Sequence, residues 1–181
     1  MTTDADRSPD PRLFVCTDER SLRAVLTELA SAGWDVHRSL QIAPSPWVHG
    51  RSTTVCTDDL RDPAEIAEVA ELLTRGLSVA VLAERDAVAT DLYDQCGRLA
   101  RAEWYDCEHP PASAGLDAAQ IGLLLAVRRG QGIPAAARDH HLSQRTAARR
   151  LADARAVLGC RTNGEAAARI GARIDSLRPG G

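Results

Sequence analysis

The chain contains no lysine, and all 22 of its Lys and Arg positions are arginine. Any mechanism that needs a lysine is therefore excluded. Aromatic residues make up only 3%, so the core must be built from Leu, Ala, Val and Ile. Little stacking surface remains for single-stranded nucleic acid or sugars. No stretch approaches the roughly 20 uninterrupted apolar residues of a membrane span. The segment Met1 to Pro11 is polar and acidic and lacks the basic and then apolar regions of a signal peptide. The expectation is a cytoplasmic protein with no membrane partner. The cysteines, Cys16, Cys56, Cys96, Cys107 and Cys160, are odd in number and form no CxxC pair. They are expected to be free, mostly buried thiols in a reducing compartment, with no metal bound. A Gly-rich phosphate loop, HExxH and GxSxG are all missing, and His37, His49 and His109 are scattered. No catalytic residue and no cofactor is expected, and the chain does not read as an enzyme.

What is present is enough apolar residue, 44% of 181, for a real core. The charge is distributed unevenly. Residues 1–111 carry 11 Arg against 20 Asp and Glu, a net of −9, whereas residues 112–181 carry 11 Arg against 5, a net of +6. Such asymmetry points to a polyanion-binding module in the second part.

The first part alternates between strand and helix patterns. Leu13–Cys16 reads as a buried strand. Asp18 can cap a helix with Leu22, Val25, Leu26 and Leu29 on one face, ended by Gly33. A second strand is expected within Trp34–Ile42, then a loop with Pro44, Pro46 and Trp47, and a third strand over Thr53–Thr57. Asp62-Pro63 opens a helix through Ile66, Val69, Leu72 and Leu73 to Gly76. Leu77–Ala83 is the clearest buried strand, a helix should span Asp86 to Arg101, and Trp104–Cys107 could form an edge strand. This order predicts a small parallel or mixed sheet covered by helices.

The divisions expected are a disordered tail over 1–11, a small α/β regulatory or dimerisation domain over 12–107, a linker over 108–115 and an all-α region over 116–178. In the last, Leu116-Asp117 starts a helix ending near Gly130. A short helix starts at Ile133-Pro134 and closes at His140-His141. A third helix runs from its cap Ser143 to Leu158. A fourth begins near Thr162 and fades at Arg178-Pro179.

Two short helices joined by a tight turn, the second rich in arginine, form a helix-turn-helix pattern. Residues 116–170 resemble the C-terminal domain of LuxR/GerE-type transcription regulators, about a third of the chain and without a gap. The resemblance rests on Leu116-Asp117, Leu123-Leu124, Val127, Gly130, Ala137, Leu142-Ser143 with Thr146, Leu158-Gly159-Cys160-Arg161-Thr162 and Glu165-Ala166. It departs at Ala136, at His140-His141, where the family has leucine-glycine, and at Ala147. The core of this module should therefore be smaller or more polar than usual.

The resemblance implies an all-α helix-turn-helix fold and a transcription regulator bound to double-stranded DNA, with base-reading positions at Ala148, Arg149 and Ala152. Only Arg149 has a long donor there, which makes guanine its natural target. Ser143, Gln144, Arg145, Thr146, Arg149 and Arg150 cluster at the start of the helix, where its dipole adds positive potential. Arg145, Thr146 and Arg150 are candidates for phosphate contact. Ala167, Ile170, Ile174 and Leu177 of the fourth helix could form a two-fold dimer contact, or pack onto the first helix of the same module. A homodimer on inverted half-sites follows from the former. Another regulatory protein or RNA polymerase is a further candidate partner. The α/β part invites comparison with receiver domains. Asp18-Glu19 and Asp58-Asp59 follow strands, but the receiver lysine has no counterpart, so aspartate phosphorylation is not expected. Asp58 and Asp59 read instead as helix or turn caps. The alternative to DNA binding is an adaptor or anti-activator whose altered helix-turn-helix no longer binds DNA strongly.

Overall fold

The computed structural model describes residues 10–41 and 54–178. The segments 1–9, 42–53 and 179–181 are not described, so most of the expected tail and the Pro44–Trp47 loop lie outside the described residues. The chain opens with strand β1 (Arg12–Cys16), helix α1 (Glu19–Ala32), β2 (Asp35–His37) and β3 (Thr54–Asp59). One 3-10 turn at Pro63–Glu65 leads into α2 (Ile66–Thr74). Then come β4 (Ser78–Leu82), α3 (Asp86–Cys96) and β5 (Arg101–Tyr105). Four helices follow: α4 (Ala118–Arg128), α5 (Ile133–Asp139), α6 (Gln144–Leu158) and α7 (Asn163–Leu177).

The five strands form one sheet in the order β2-β3-β4-β1-β5, and every pairing is parallel. The sheet is receiver-like in being parallel and flanked by helices. Its order differs from the doubly wound 2-1-3-4-5 pattern, because β1 lies between β4 and β5. Both faces of a parallel sheet must be covered, so its central strands are apolar after their first residue; all five residues of β1 and of β4 are buried, including Arg12 and Ser78, and the Arg12 N–H donates to the Ser78 hydroxyl. Alternate residues serve opposite faces. Leu13, Val15, Cys56, Val79 and Val81 pack with α2 and α3. Phe14, Cys16, Val55 and Ala80 belong to a second core that includes α1.

Local signals set the helix limits. Asp18 caps α1, its carboxylate accepting from Ser21 N at 2.9 Å, and Gly33 closes it in the left-handed conformation at φ 95°. Asp62, not Asp58 or Asp59, caps the next turn; those two are the last residues of β3, a correction to the capping role expected for them. The expected helix to Arg101 ends earlier, at Cys96, and Arg101 instead opens β5. Its apolar face runs out after Cys96, and the chain must turn to pair with β1. Of the expected Trp34–Ile42 strand, Asp35–His37 is the part that is regular among the described residues, and Ile42 lies outside them.

The α1 side of the sheet holds the main departure from a simple two-part chain. The core that contains Phe14, Val25 and Leu29 continues without a break into Leu123, Leu124, Leu151, Ile170, Ile174 and Leu177. Helix α7 lies against α1 and α4. Trp34 donates its indole N–H to the carbonyl of Leu177 at 2.6 Å, and Arg12 Nη1 donates to the carbonyl of Ser176 at 2.7 Å. The segment expected to be a linker is tied down as well: Ser113 is fully buried, and its N–H donates to Glu28 Oε1 at 2.9 Å.

An ionic cluster lies across this junction. Arg173 of α7 bonds Glu28 of α1 at 2.7 Å and Glu103 of β5 at 2.9 Å, and donates to the Tyr105 hydroxyl at 2.6 Å. Glu103 also accepts from Arg12 and from the Tyr105 hydroxyl. Glu28 is 0% exposed, a position that a carboxylate tolerates only when it is paired and hydrogen-bonded. Burial pulls the Arg173 guanidinium toward deprotonation, but the adjacent Glu28 and Glu103 outweigh it and hold its pKa above the ordinary value. Burial pushes Glu103 up, yet the Tyr105 hydroxyl, Arg173 and Arg12 together hold its carboxyl below the usual range.

Candidate nucleic-acid interface

The α5–α6 pair starts with Pro134 in the first turn of α5, where its missing N–H costs nothing. The chain then turns through His140 to Ser143. His141 has φ 53°, a left-handed conformation that is unfavourable for a residue with a Cβ. His140 packs its ring onto α4, where a Cβ at Gly122 would stand 2.5 Å from the ring carbon Cε1. The absence of a side chain at Gly122 makes room for the histidine. Ala136, Ala137 and Ala147 are buried where the two helices meet, so the small residues allow a close approach.

Ser143 caps α6, its hydroxyl accepting from Thr146 N at 3.1 Å, and its Oγ lies 2.8 Å from the Thr146 hydroxyl. Helix α6 buries Ala147, Leu151, Ala154 and Leu158. At about 100° per residue, positions 145, 149, 152 and 156 then point away from the core. Gln144, Arg145, Ala148 and Arg149 are exposed, Thr146 and Ala152 half-buried. Among the described residues, Arg145 and Arg149 form no ion pair or side-chain hydrogen bond. The start of α6 is thus open to solvent, not sealed against the acidic part of the chain.

Arg150 is placed differently from its neighbours. Its guanidinium pairs with Asp117 at 2.7 Å, and its carbonyl accepts from Gln120 Nε2 at 3.4 Å. Asp117 and Gln120 are the two members of the capping box at the start of α4. One arginine therefore fixes α6 against α4, and a phosphate would have to compete with Asp117 for it.

Ala167, Ile170, Ile174 and Leu177 are all buried within the chain, none more than 1% exposed. They pack with α4 and α1, which matches the intrachain alternative for this face; a two-fold contact would need a different surface. Of the thiols, Cys16, Cys56 and Cys96 are buried, Cys160 is half-buried and Cys107 exposed. Burial raises the pKa of Cys56 to about 11, with Arg75 opposing it, so it stays protonated near neutrality. Among the described residues no group of three or more His, Cys, Asp or Glu could hold a metal ion, and no helix is long and apolar enough to cross a membrane.

No family model matches the chain, and neither the curated proteins nor the solved structures include one that matches it. The functional reading therefore rests on the geometry of α6 and on the charge of the region around it.

The cluster of Arg12, Glu28, Glu103, Tyr105 and Arg173 was missed by sequence reasoning. One signal was available. Glu28 lies on the stripe of α1 that includes Ala24, Val25 and Leu29, and a charged residue within a buried stripe demands a partner. The partner itself, 145 residues away, could not be named from spacing.

Proposed function

We propose that the chain is a DNA-binding transcription regulator of the LuxR/GerE type that reads the major groove of double-stranded DNA with α6. The single observation that carries this reading is the exposed, capped start of α6, with Arg145 and Arg149 unpaired among the described residues and directed away from the core. Donors on the outward face of a helix, backed by its dipole, suit base edges and phosphates. The excess of arginine after residue 111 supplies the surrounding positive field. Arg149 reads guanine, Arg145 and Gln144 hold the backbone, and the neighbouring alanines leave room for the groove edge. The protein acts in the cytoplasm, has no catalytic role, and binds as a homodimer through a surface other than the apolar face of α7.

A second reading is favoured by one feature. Ala148, Ala152 and Ala156 leave the outward face with few donors, which suits an adaptor that contacts another protein, such as a regulator or RNA polymerase, better than it suits tight base reading. The two readings part in one experiment: selection of bound duplexes from a random pool, followed by titration of the selected sequence at several salt concentrations. The regulator reading expects an enriched motif and an affinity that falls steeply with salt. No enrichment and no measurable duplex binding at low salt would leave the adaptor.

A further inference from the structure

Strand β5 ends the sheet, so one of its sides has no neighbouring strand among the described residues. The Arg101 N–H donates to the carbonyl of Pro11 at 2.9 Å, and the carbonyl of Tyr105 accepts from the Thr17 N–H at 3.0 Å. Backbone groups alternate in direction along a strand, so the odd-numbered residues of β5 face β1. The N–H and C=O groups of Ala102 and Trp104 therefore point outward, and none of them bonds another described residue. Such a row is a template for a further strand, and proteins commonly blunt it with proline, a bulge or charge. β5 contains no proline and pairs with β1 without a bulge. Its inward charge, Glu103, is already held by Arg12 and Arg173.

An apolar patch lies beside this edge. Tyr93 of α3 is 39% exposed, and Leu99, in the connection from α3 to β5, is 42% exposed. The Tyr93 ring meets the half-buried Trp104 edge to face, with centroids 5.9 Å apart. Charge is ordered along the strand as well. Arg98 and Arg101 stand at its start, exposed and without an ion pair among the described residues. Asp106 and Glu108 follow its end.

We propose that β5 pairs antiparallel with β5 of a second copy of this chain, joining two sheets across a two-fold axis. The order of charge selects that occupant. Antiparallel pairing lays the basic start of each strand beside the acidic end of the other, whereas parallel pairing sets arginine on arginine. A two-fold copy supplies this match by symmetry, and an unrelated extended segment has no reason to carry it. Centring the pair on Trp104 sets Glu103 across from Tyr105, so that the two Glu103 carboxylates do not meet. A five-residue strand with a few apolar side chains covers less than the roughly 1,600 Å² of a standard interface, so the dimer is a weak one, in the micromolar range. The proposal rests on the homodimer of the regulator reading and names its surface. It is tested without DNA, so its failure leaves the reading of DNA by α6 untouched.

The test is sedimentation equilibrium of the full chain over about 1–200 µM, a range that brackets a micromolar dimer. The expected result is a monomer–dimer equilibrium that weakens as salt rises, because the charges at the rim are screened. Leu99→Glu, at an exposed position, should weaken association by about tenfold or more. Ala102→Pro removes an N–H that the sheet does not use, and should do the same without changing the far-ultraviolet circular dichroism. Arg101→Glu should also weaken association, and adding Glu108→Arg should restore most of the loss. If Ala102→Pro fails to fold, the variants at exposed positions carry the test. A monomer at every concentration would overturn the proposal, whether the edge is left bare or is covered by another protein or by residues 1–9 of the same chain. So would a dimer unmoved by both Leu99→Glu and Arg101→Glu, or a tighter dimer in Arg101→Glu, the sign of parallel pairing.

Discussion

Helices α6 and α7 are each 15 residues long, each capped by a hydroxyl residue and each furnished with arginine, yet the arginines do opposite things. On α6, Arg145 and Arg149 project into solvent from the face opposite the core. On α7, Arg173 points into the junction with the sheet, meets Glu28 and Glu103, and belongs to the interior. The residue type is the same, and its surroundings decide the role. Where no acid faces the guanidinium, it is available to a polyanion; where two carboxylates face it, it becomes part of the fold. The contrast extends to Arg150, which stands one residue from Arg149 yet is held by Asp117.

The largest expected effect comes from removing the buried partner. Arg173→Met leaves Glu28 charged and enclosed, and should lower stability by about 3–5 kcal/mol in urea unfolding. Adding Glu28→Gln should recover part of that loss, since no uncompensated charge then remains at that site. A loss no larger than that of a surface substitution would break the comparison. The same cluster fixes the response to acid. Glu103 has a folded pKa below its ordinary 4.5, so the unfolded chain takes up its proton first. The stability that Glu103 contributes is complete above 4.5 and is lost as pH falls below that value toward the lowered folded pKa. Denaturant midpoints measured across that range should fall with pH, and less so in Glu103→Gln.

Next in size is the exposed counterpart. Arg149→Ala should reduce affinity for a selected duplex by about 1–3 kcal/mol and relax the preference at one base pair. An equal loss on every sequence would show a phosphate contact instead. Arg145→Ala should weaken binding uniformly and flatten the logarithmic salt slope by about 1. Arg150→Ala should change the slope less than Arg145→Ala does, because its guanidinium is already paired. A larger change would show that Asp117 releases it on binding.

The smallest effect expected is a gain. His141→Gly relieves a left-handed backbone at φ 53° and should raise stability by about 1 kcal/mol, the strain relieved being partly offset by the greater freedom of glycine in the unfolded chain. A loss in the thermal midpoint would mean that the His141 side chain stabilises the turn by contacts of its own.

Much of the fold was legible because its signals are local. Asp18, Asp62, Asp117, Ser143 and Thr162 cap helices by accepting N–H groups two or three residues on, and such caps depend on neighbours in sequence. The runs Leu13–Cys16 and Val79–Ala83 are apolar throughout because both faces of their strands are covered. The outward face of α6 could be read from the spacing of Ala147, Leu151, Ala154 and Leu158. The strand order could not, because β1 makes its pairs with β4 and β5 across long separations. Nor could the role of α7. Ala167, Ile170, Ile174 and Leu177 fit an interface between copies as well as one within the chain, since a buried stripe does not say what buries it.

The order of amino acids alone set where most helices begin, which side of each is apolar, and the division of charge between the two parts of the chain. Those properties arise from backbone caps, side-chain spacing and composition, all of which act over a few residues. Only the folded arrangement decided that α7 joins α1 on the sheet, that Arg173 is interior while Arg149 is not, and that Glu28 and Glu103 share one arginine. Each of these depends on which distant side chains share a small volume, and that is a property of packing in three dimensions.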